Sequence, residues 1–134
     1  MNLRPPHYRI EVINAQLHKA DWIKANYEEA AQILGVVDAT PFDLAITLQS
    51  HFSASAVLLT YDAAGAGVLM GNEWLWLPAP KATVVDTIGA GDAFLAAFVA
   101  HYLIEQKDLH FSLSQALKRA SKVVEYSGAV PSLV

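Results

Sequence analysis

Apolar and polar residues follow each other along this chain in short blocks that are typical of alternating strands and helices. The first half predicts, in order, helix 9–19, strand 21–25, helix 27–34, helix 41–52 and strand 56–61. Gly35 lies in the C′ position that ends helix 27–34, and Pro41 lies in the N1 position that begins the next helix. This order of elements predicts an α/β fold.

The second half predicts a small hairpin followed by two helices. The hairpin strands are 68–70 and 74–77, and they join through residues 71–73, where Gly and Asn accept a positive φ. The remaining predicted elements are strand 83–85, helix 90–106 and helix 113–126, the last of which stops at Gly128. Because helix 90–106 is apolar on nearly every side, we expect it to lie deep in the fold.

Composition narrows the class of protein. Hydrophobic residues make up 54% of the 134 residues, charged residues 16%, and the mean hydropathy is +0.29. A bilayer span needs about 20 consecutive apolar residues, and the longest strongly apolar run, 93–100, is far shorter. We therefore expect no membrane partner and a chain whose strands and helices are buried on several sides, partly against sequence outside it.

Charge and cysteine content exclude further classes. The net charge is −4 and Lys and Arg are scattered singly, which does not fit a nucleic-acid-binding surface. With no cysteine there are no disulfides or thiolate metal sites, which fits a reducing compartment. The N-terminus lacks the apolar region of a secretory signal, so a cytoplasmic location is expected.

A glycine-rich turn precedes the most apolar predicted helix, with the sequence Val85-Asp86-Thr87-Ile88-Gly89-Ala90-Gly91-Asp92-Ala93-Phe94. The first amides of a helix have no partner within it, so small residues there favour an anion hole. Asp92 lies beside these amides and could accept a proton from a hydroxyl. The pattern alone is equally typical of an acid that stabilises the helix dipole.

Two familiar glycine motifs do not fit this turn. No Lys-Ser or Lys-Thr pair follows it, as a P-loop requires. Position 94 is Phe where the dinucleotide fingerprint needs glycine or alanine, and no acidic residue follows a strand at the expected distance. A dinucleotide-binding oxidoreductase is therefore a distant alternative.

Residues 86–94 resemble the Asp-Thr-x-Gly-Ala-Gly-Asp-x-Phe signature of the ribokinase-like (PfkB-type) carbohydrate kinases. The resemblance implies transfer of the ATP γ-phosphate to a sugar hydroxyl, with sugar and ATP as small-molecule partners. It implies Asp92 as the catalytic base and an anion hole formed by the amides of Gly89, Ala90, Gly91 and Asp92. Gly91 would also contact the nucleotide.

Asn26-Tyr27-Glu28-Glu29 resembles the Asn-x-x-Glu motif of the same family. The resemblance implies that Glu29, with Asn26, helps to hold Mg²⁺ through water. The pattern by itself favours a capping box at a helix start, and one carboxylate could serve both purposes.

Thr60 to Gly65 occupies the place of a family Thr-x-Gly-x-x-Gly turn near the nucleotide phosphates. Thr60 and Gly65 are therefore expected at the nucleotide. Asp62 departs from the pattern, because it brings a negative charge and a backbone freedom different from that of glycine. We interpret it as a turn residue at the end of a strand.

Residues 128–132 resemble the Gly-Ala-x-Pro-Ser element near the C-terminus of the family. In some members this element and the loop before the glycine turn bind a monovalent cation. The corresponding residues here are Asp86, Ile88, Gly128 and Ser132. The resemblance leaves a K⁺ requirement open.

The resemblance covers only the later part of the family sequence. It implies the C-terminal portion of a ribokinase-like three-layer fold, with an incomplete central sheet, flanking helices and a small hairpin, in which residues 1–134 form a single partial domain. We expect poor activity from the chain alone, and a homo-oligomer or other association through exposed apolar surface. Fructose or a related hexose is favoured because residues 2–6 resemble a fructokinase-like Asn-x-Arg-Pro segment. The alternative is a non-catalytic remnant that binds a nucleotide or a partner.

Overall fold

The computed structural model describes residues 21–81 and 89–125. These residues form two compact units. One unit comprises 21–61 and 67–75, and the other comprises 62–66, 76–81 and 89–125. The predictions made for residues 9–19, 83–85 and 126–128 lie outside the described residues. The single partial domain over residues 1–134 stays a prediction.

The described strands make one mixed four-stranded sheet in the order β1-β2-β3-β4. The strands are β1 (Trp22–Asn26), β2 (Ala56–Tyr61), β3 (Gly65–Met70) and β4 (Glu73–Leu77). β1 and β2 are parallel, and their register runs from Trp22 opposite Ala56 to Asn26 opposite Thr60. The α/β fold expected from the sequence is thus confirmed.

The first unit places two helices, α1 (Tyr27–Leu34) and α2 (Pro41–Phe52), beside β1 and β2. Both helices have the predicted bounds, because their ends are set locally. Gly35 has a φ of 65° at the C-cap of α1, and the Thr40 hydroxyl caps α2 just before Pro41. The core combines apolar residues of strands and helices: Ile23, Ala25, Ala30, Leu44, Ala45, Leu48, Phe52, Ala54, Val57, Leu59 and Leu69.

β2 is a largely buried strand of the first unit. Residues 56–59 are buried on both faces, as expected of a strand in the middle of a covered sheet. The predicted hairpin is confirmed, with a tighter turn than expected. Its turn is Gly71-Asn72, and Glu73 already belongs to β4.

The second unit contains α3 (Ala90–Val99), a π-helical continuation (Ala100–Ile104) and α4 (Leu109–Val124). The π-helical segment has a wider turn than an α-helix, because the Glu105 amide donates to the Ala100 carbonyl, five residues back. α4 begins four residues earlier than the predicted helix 113–126. The reason is Asp108, whose side chain accepts from the Phe111 amide and caps the helix.

The expectation that helix 90–106 lies deep in the fold is wrong. α3 and α4 pack against each other, and within Ala90–Val99 the fully buried residues are Phe94 and Phe98, one turn apart on a single face. Leu103 and Ile104 are 52% and 75% exposed. The apolar composition of helix 90–106 therefore indicated burial on more sides than the described residues cover.

No helix among residues 21–81 and 89–125 is both long enough and apolar enough to span a bilayer.

Candidate active site

The first candidate group lies where β1 passes directly into α1. Asn26 is the last residue of β1 and the N-cap of α1, with φ −86° and ψ 169°. Its Oδ1 accepts from the Glu29 amide at 2.8 Å, and its own amide donates to Glu29 Oε1 at 2.9 Å. This reciprocal pair is the capping box that the Asn-x-x-Glu pattern predicts.

Glu29 is buried, with 5% of its surface exposed. A buried carboxylate is stable only when it is hydrogen-bonded or paired, and the capping bond supplies one such partner. The donor chemistry fits Mg²⁺, which prefers oxygen ligands and commonly binds through one or two carboxylates while it keeps several waters. A carboxylate accepts about four hydrogen bonds or ligands, so a capping bond does not by itself exclude a metal role.

Thr60 lies beside this group. The β1–β2 register places it opposite Asn26 at the carboxyl ends of two parallel strands, and it is half-buried. Ligands of open α/β sheets bind at this edge. The structure thus brings Asn26, Glu29 and Thr60 together within the first unit. Their roles toward metal and nucleotide stay predictions.

The turn after β2 accommodates the departure at position 62. Residues Asp62–Ala64 form one 3₁₀ turn, and Asp62 has a φ of 44°. Asp is one of the few residues that adopt this left-handed conformation readily. The expectation that Asp62 needs a backbone freedom different from that of glycine is therefore wrong, since it takes the conformation that glycine favours.

Gly65 follows at the start of β3 with a φ of 138°. A Cβ added there would lie 2.2 Å from the Leu77 carbonyl oxygen and 2.9 Å from the Pro78 Cα. Both contacts are with backbone, which side-chain rotation does not relieve. Gly65 is thus required by its own backbone and by the chain that passes over it.

The second candidate group is the start of α3. Gly89 is the N-cap, with φ 83° and ψ −5°, and no side chain caps the helix. The Ala93 amide donates to the Gly89 carbonyl at 2.9 Å, which begins the helical bonding. The amides of residues 90–92 precede this bond and are the ones a helix leaves without internal partners.

Asp92 lies in this first turn with an exposed side chain, whereas Ala90 and Gly91 are half-buried. The amides and the helix dipole place partial positive charge at the same end. The first turn of α3 thus brings the four predicted anion-hole residues together within the second unit: Gly89, Ala90, Gly91 and Asp92. It combines a place for an anion with a carboxylate that solvent reaches.

The predicted cation-site residues Asp86, Ile88, Gly128 and Ser132 lie outside the described residues. Within 21–81 and 89–125, no group of three or more His, Cys, Asp or Glu side chains is arranged to hold a metal ion. A divalent ion at Glu29 would therefore take further ligands from water and from a phosphate.

One feature of the first unit was missed from the sequence. Tyr27 and Tyr61 stack with their ring centroids 4.3 Å apart and their planes 11° from parallel. The available signal was that each of the two parallel strands ends in a polar residue followed by Tyr, at Asn26-Tyr27 and Thr60-Tyr61.

The family model for pfkB family carbohydrate kinases matches residues 1–134. The chain belongs to the PfkB family of carbohydrate kinases. This membership agrees with the glycine signature of the sequence and with the local geometry of each group taken by itself.

Two relatives illustrate the similarity. Ribokinase of Arabidopsis thaliana is 31% identical over 124 residues, which are 90% of this chain and 32% of that protein. Fructokinase of Klebsiella pneumoniae is 33% identical over 90 residues, 67% of this chain and 29% of that protein. The chain thus spans about a third of the length of these relatives.

The fold is shared with solved structures. An Escherichia coli protein assigned as a ribokinase II, in complex with ATP and Mg²⁺, superposes with a TM-score of 0.76. The match covers 92% of this chain and 42% of that one, at 22% sequence identity. This PfkB chain therefore has the fold of part of a ribokinase-like kinase.

Proposed function

We propose that this PfkB chain carries the ATP- and phosphate-binding part of a sugar kinase, which transfers the ATP γ-phosphoryl group to a sugar hydroxyl. The observation that carries the proposal is the start of α3. A glycine N-cap without a side-chain cap precedes an exposed Asp92 in the first helical turn. Membership of a carbohydrate kinase family supports phosphoryl transfer as the reaction for this arrangement.

The reaction assigns a role to each part of that turn. The sugar oxygen attacks the γ-phosphorus, the bond between that phosphorus and the bridging oxygen of ADP breaks, and the hydroxyl proton passes to the Asp92 carboxylate. The amides of Gly89, Ala90, Gly91 and Asp92 donate hydrogen bonds to the phosphoryl oxygens as charge develops on them. Asp92 is the proposed catalytic residue.

We propose the metal-binding role for residues of the first unit. Glu29, with Asn26, would hold Mg²⁺ through water, since both offer oxygen atoms at the end of β1. The ion, when bound, neutralises phosphate charge. Thr60 and Gly65, together with Gly91, are the proposed nucleotide contacts, and a K⁺ requirement stays a prediction.

We propose fructose or a related hexose as the first sugar to test. The support is the Asn-x-Arg-Pro resemblance at residues 2–6 and the similarity to a fructokinase. Ribose, 2-keto-3-deoxygluconate and nucleosides are the competing substrates, because the chain spans only about a third of its curated relatives. For the same reason we expect the purified chain to turn sugar over slowly and to self-associate.

A second candidate function is a non-catalytic remnant that binds nucleotide. Asp62 favours it, because a carboxylate stands where the family's turn near the nucleotide phosphates has glycine. Such a charge would oppose ATP without removing the anion hole at α3.

Titration with ADP in the presence of Mg²⁺, followed by a radiolabelled ATP assay with fructose, separates the two. The kinase proposal expects saturable ADP binding and slow transfer of label to the sugar, and transfer should increase when the remaining part of a family sequence is supplied in trans. Binding with no transfer under either condition would support the remnant. Absence of ADP binding would contradict both.

A further inference from the structure

Two tyrosines leave the sheet side by side. The parallel register of β1 and β2 ends with Asn26 opposite Thr60, and the next residue on each chain is a tyrosine. The rings of Tyr27 and Tyr61 stack at 4.3 Å between centroids. Offset or near-parallel stacking at this separation is a favourable aromatic geometry.

Tyr27 is held from a second direction. Its hydroxyl donates to the Ala39 carbonyl oxygen at 2.5 Å, twelve residues along the chain and just before α2. One face of the ring therefore rests on Tyr61 while its tip is fixed to the α1–α2 connection. Tyr61 remains 38% exposed, so its ring is not simply a part of the core.

Tyr27 lies inside the capping box. It is the first residue of α1, between Asn26 and Glu29, whose side chains and amides exchange the two capping bonds. Any tilt of the first turn of α1 relative to the end of β2 would change the separation between Glu29 and Thr60. Tyr61 links that turn to the end of β2 by a direct ring contact.

We propose that the Tyr27–Tyr61 stack is a positioning pair that holds the start of α1, and with it the carboxylate of Glu29, in fixed relation to Thr60 at the end of β2. Neither tyrosine is a catalytic residue. The consequence for nucleotide binding rests on the function proposed above, with Glu29 on the metal side and Thr60 on the nucleotide side.

Site-resolved amide hydrogen exchange tests the geometry directly. Tyr61→Ala should speed exchange of the Asn26 and Glu29 amides by roughly 2- to 10-fold, the range that corresponds to one aromatic pair. The amide of Asp43, which donates to the Thr40 cap of α2 at 3.1 Å, should be unchanged. Tyr61→Phe keeps the ring and should restore the exchange rates of the unsubstituted chain.

Phe111→Ala is the matched control. Phe111 is 39% exposed, close to the 38% of Tyr61, and lies on α4 in the second unit. The Phe111→Ala substitution should leave the exchange rates of the Asn26 and Glu29 amides unchanged. If Tyr61→Ala fails to fold, Tyr61→Leu preserves apolar bulk without a ring and should show the same local change.

Three results would overturn the proposal: an unchanged Glu29 amide in the Tyr61 variants, an equal acceleration at Asp43, or the same effect from Phe111→Ala. A nucleotide arm uses ADP with and without Mg²⁺, and Tyr61→Leu should reduce the gain in affinity that Mg²⁺ provides. If the unsubstituted chain binds no ADP while the exchange effect persists, the proposed function fails and the positioning role stands.

Discussion

The two helices that carry the proposed functional carboxylates start in opposite ways. α1 begins with a capping box, in which Asn26 and Glu29 satisfy each other's amides. α3 begins at Gly89 with no side-chain cap. At α1 the chain itself occupies the position that an anion would take, whereas at α3 that position is left to a ligand.

Both helices carry an acid at the third helical position, and its surroundings differ. Glu29 is 5% exposed and bonded to the backbone, while Asp92 is exposed to solvent. Each stabilises the positive end of its helix, but Glu29 is largely withdrawn from bulk solvent whereas Asp92 is open to it. Substitutions at α1 should therefore lower stability, and substitutions at α3 should lower ligand binding or turnover.

The largest expected effect is that of Asp92→Asn. Loss of the base should lower transfer of label from ATP to sugar by about 10²- to 10⁴-fold, while ADP affinity is retained because the amides are unchanged. Radiolabelled ATP and an ADP titration measure the two quantities. Asp108→Asn is the control, since Asn caps a helix about as well as Asp, and it should affect neither. Transfer at the unsubstituted rate in Asp92→Asn would refute the assigned role.

Gly89→Ala tests the difference between the starts of α1 and α3 through ADP binding. Alanine in a left-handed conformation costs about 1–2 kcal/mol, and relief of that strain would move the first amides of α3. We expect ADP affinity to fall by about tenfold or more, the value of one hydrogen bond to a charged group. Calorimetric titration measures it.

Gly35→Ala is matched to this change. Gly35 also has a positive φ, 65°, and an added Cβ would meet nothing within 4 Å. The Gly35→Ala variant should lose a similar free energy of unfolding, measured in urea. It should keep the affinity of the unsubstituted chain for ADP. Equal loss of affinity in both variants would mean that the start of α3 has no special part in binding.

The smallest effect concerns the capped helix. Asn26→Ala should lower the free energy of unfolding by about 1 kcal/mol, because the Glu29 amide loses its acceptor at 2.8 Å. Thr40→Ala at α2 removes a comparable cap, with an Asp43 amide bond of 3.1 Å, and should cost a similar amount. Urea unfolding compares them, and an Asn26→Ala chain as stable as the unsubstituted one would show that the box contributes nothing.

Elements with local signals were predicted with correct bounds. α1 and α2 begin at a recognisable cap and end at residues that leave the helical conformation, and β2 is a continuous apolar run. α4 was placed too late because its signal, Asp108 before an i, i+4 pattern of Leu109 and Leu113, was overlooked. The capping box and the glycine start were likewise predictable from short spacings.

Features that depend on distant parts of the chain were not predictable. Burial of α3 depends on what packs against each face, which composition does not report, and its π-helical end at Ala100–Ile104 has no established sequence signal. The Tyr27–Tyr61 stack depends on the register of two strands thirty-four positions apart. Asp62 was correctly interpreted as a turn residue at the end of β2, but its positive φ was not predicted.

The crowding at Gly65 affects how a glycine at this position in homologous chains should be interpreted. The Leu77 oxygen leaves no room for any side chain there, so purifying selection would retain glycine at this position for the sake of folding alone. A divergent homologue that no longer binds nucleotide would still keep Gly65. Persistence of that glycine across homologues would therefore reflect the path of the hairpin, and a diagnostic of lost enzymatic function would have to be sought at residue 92.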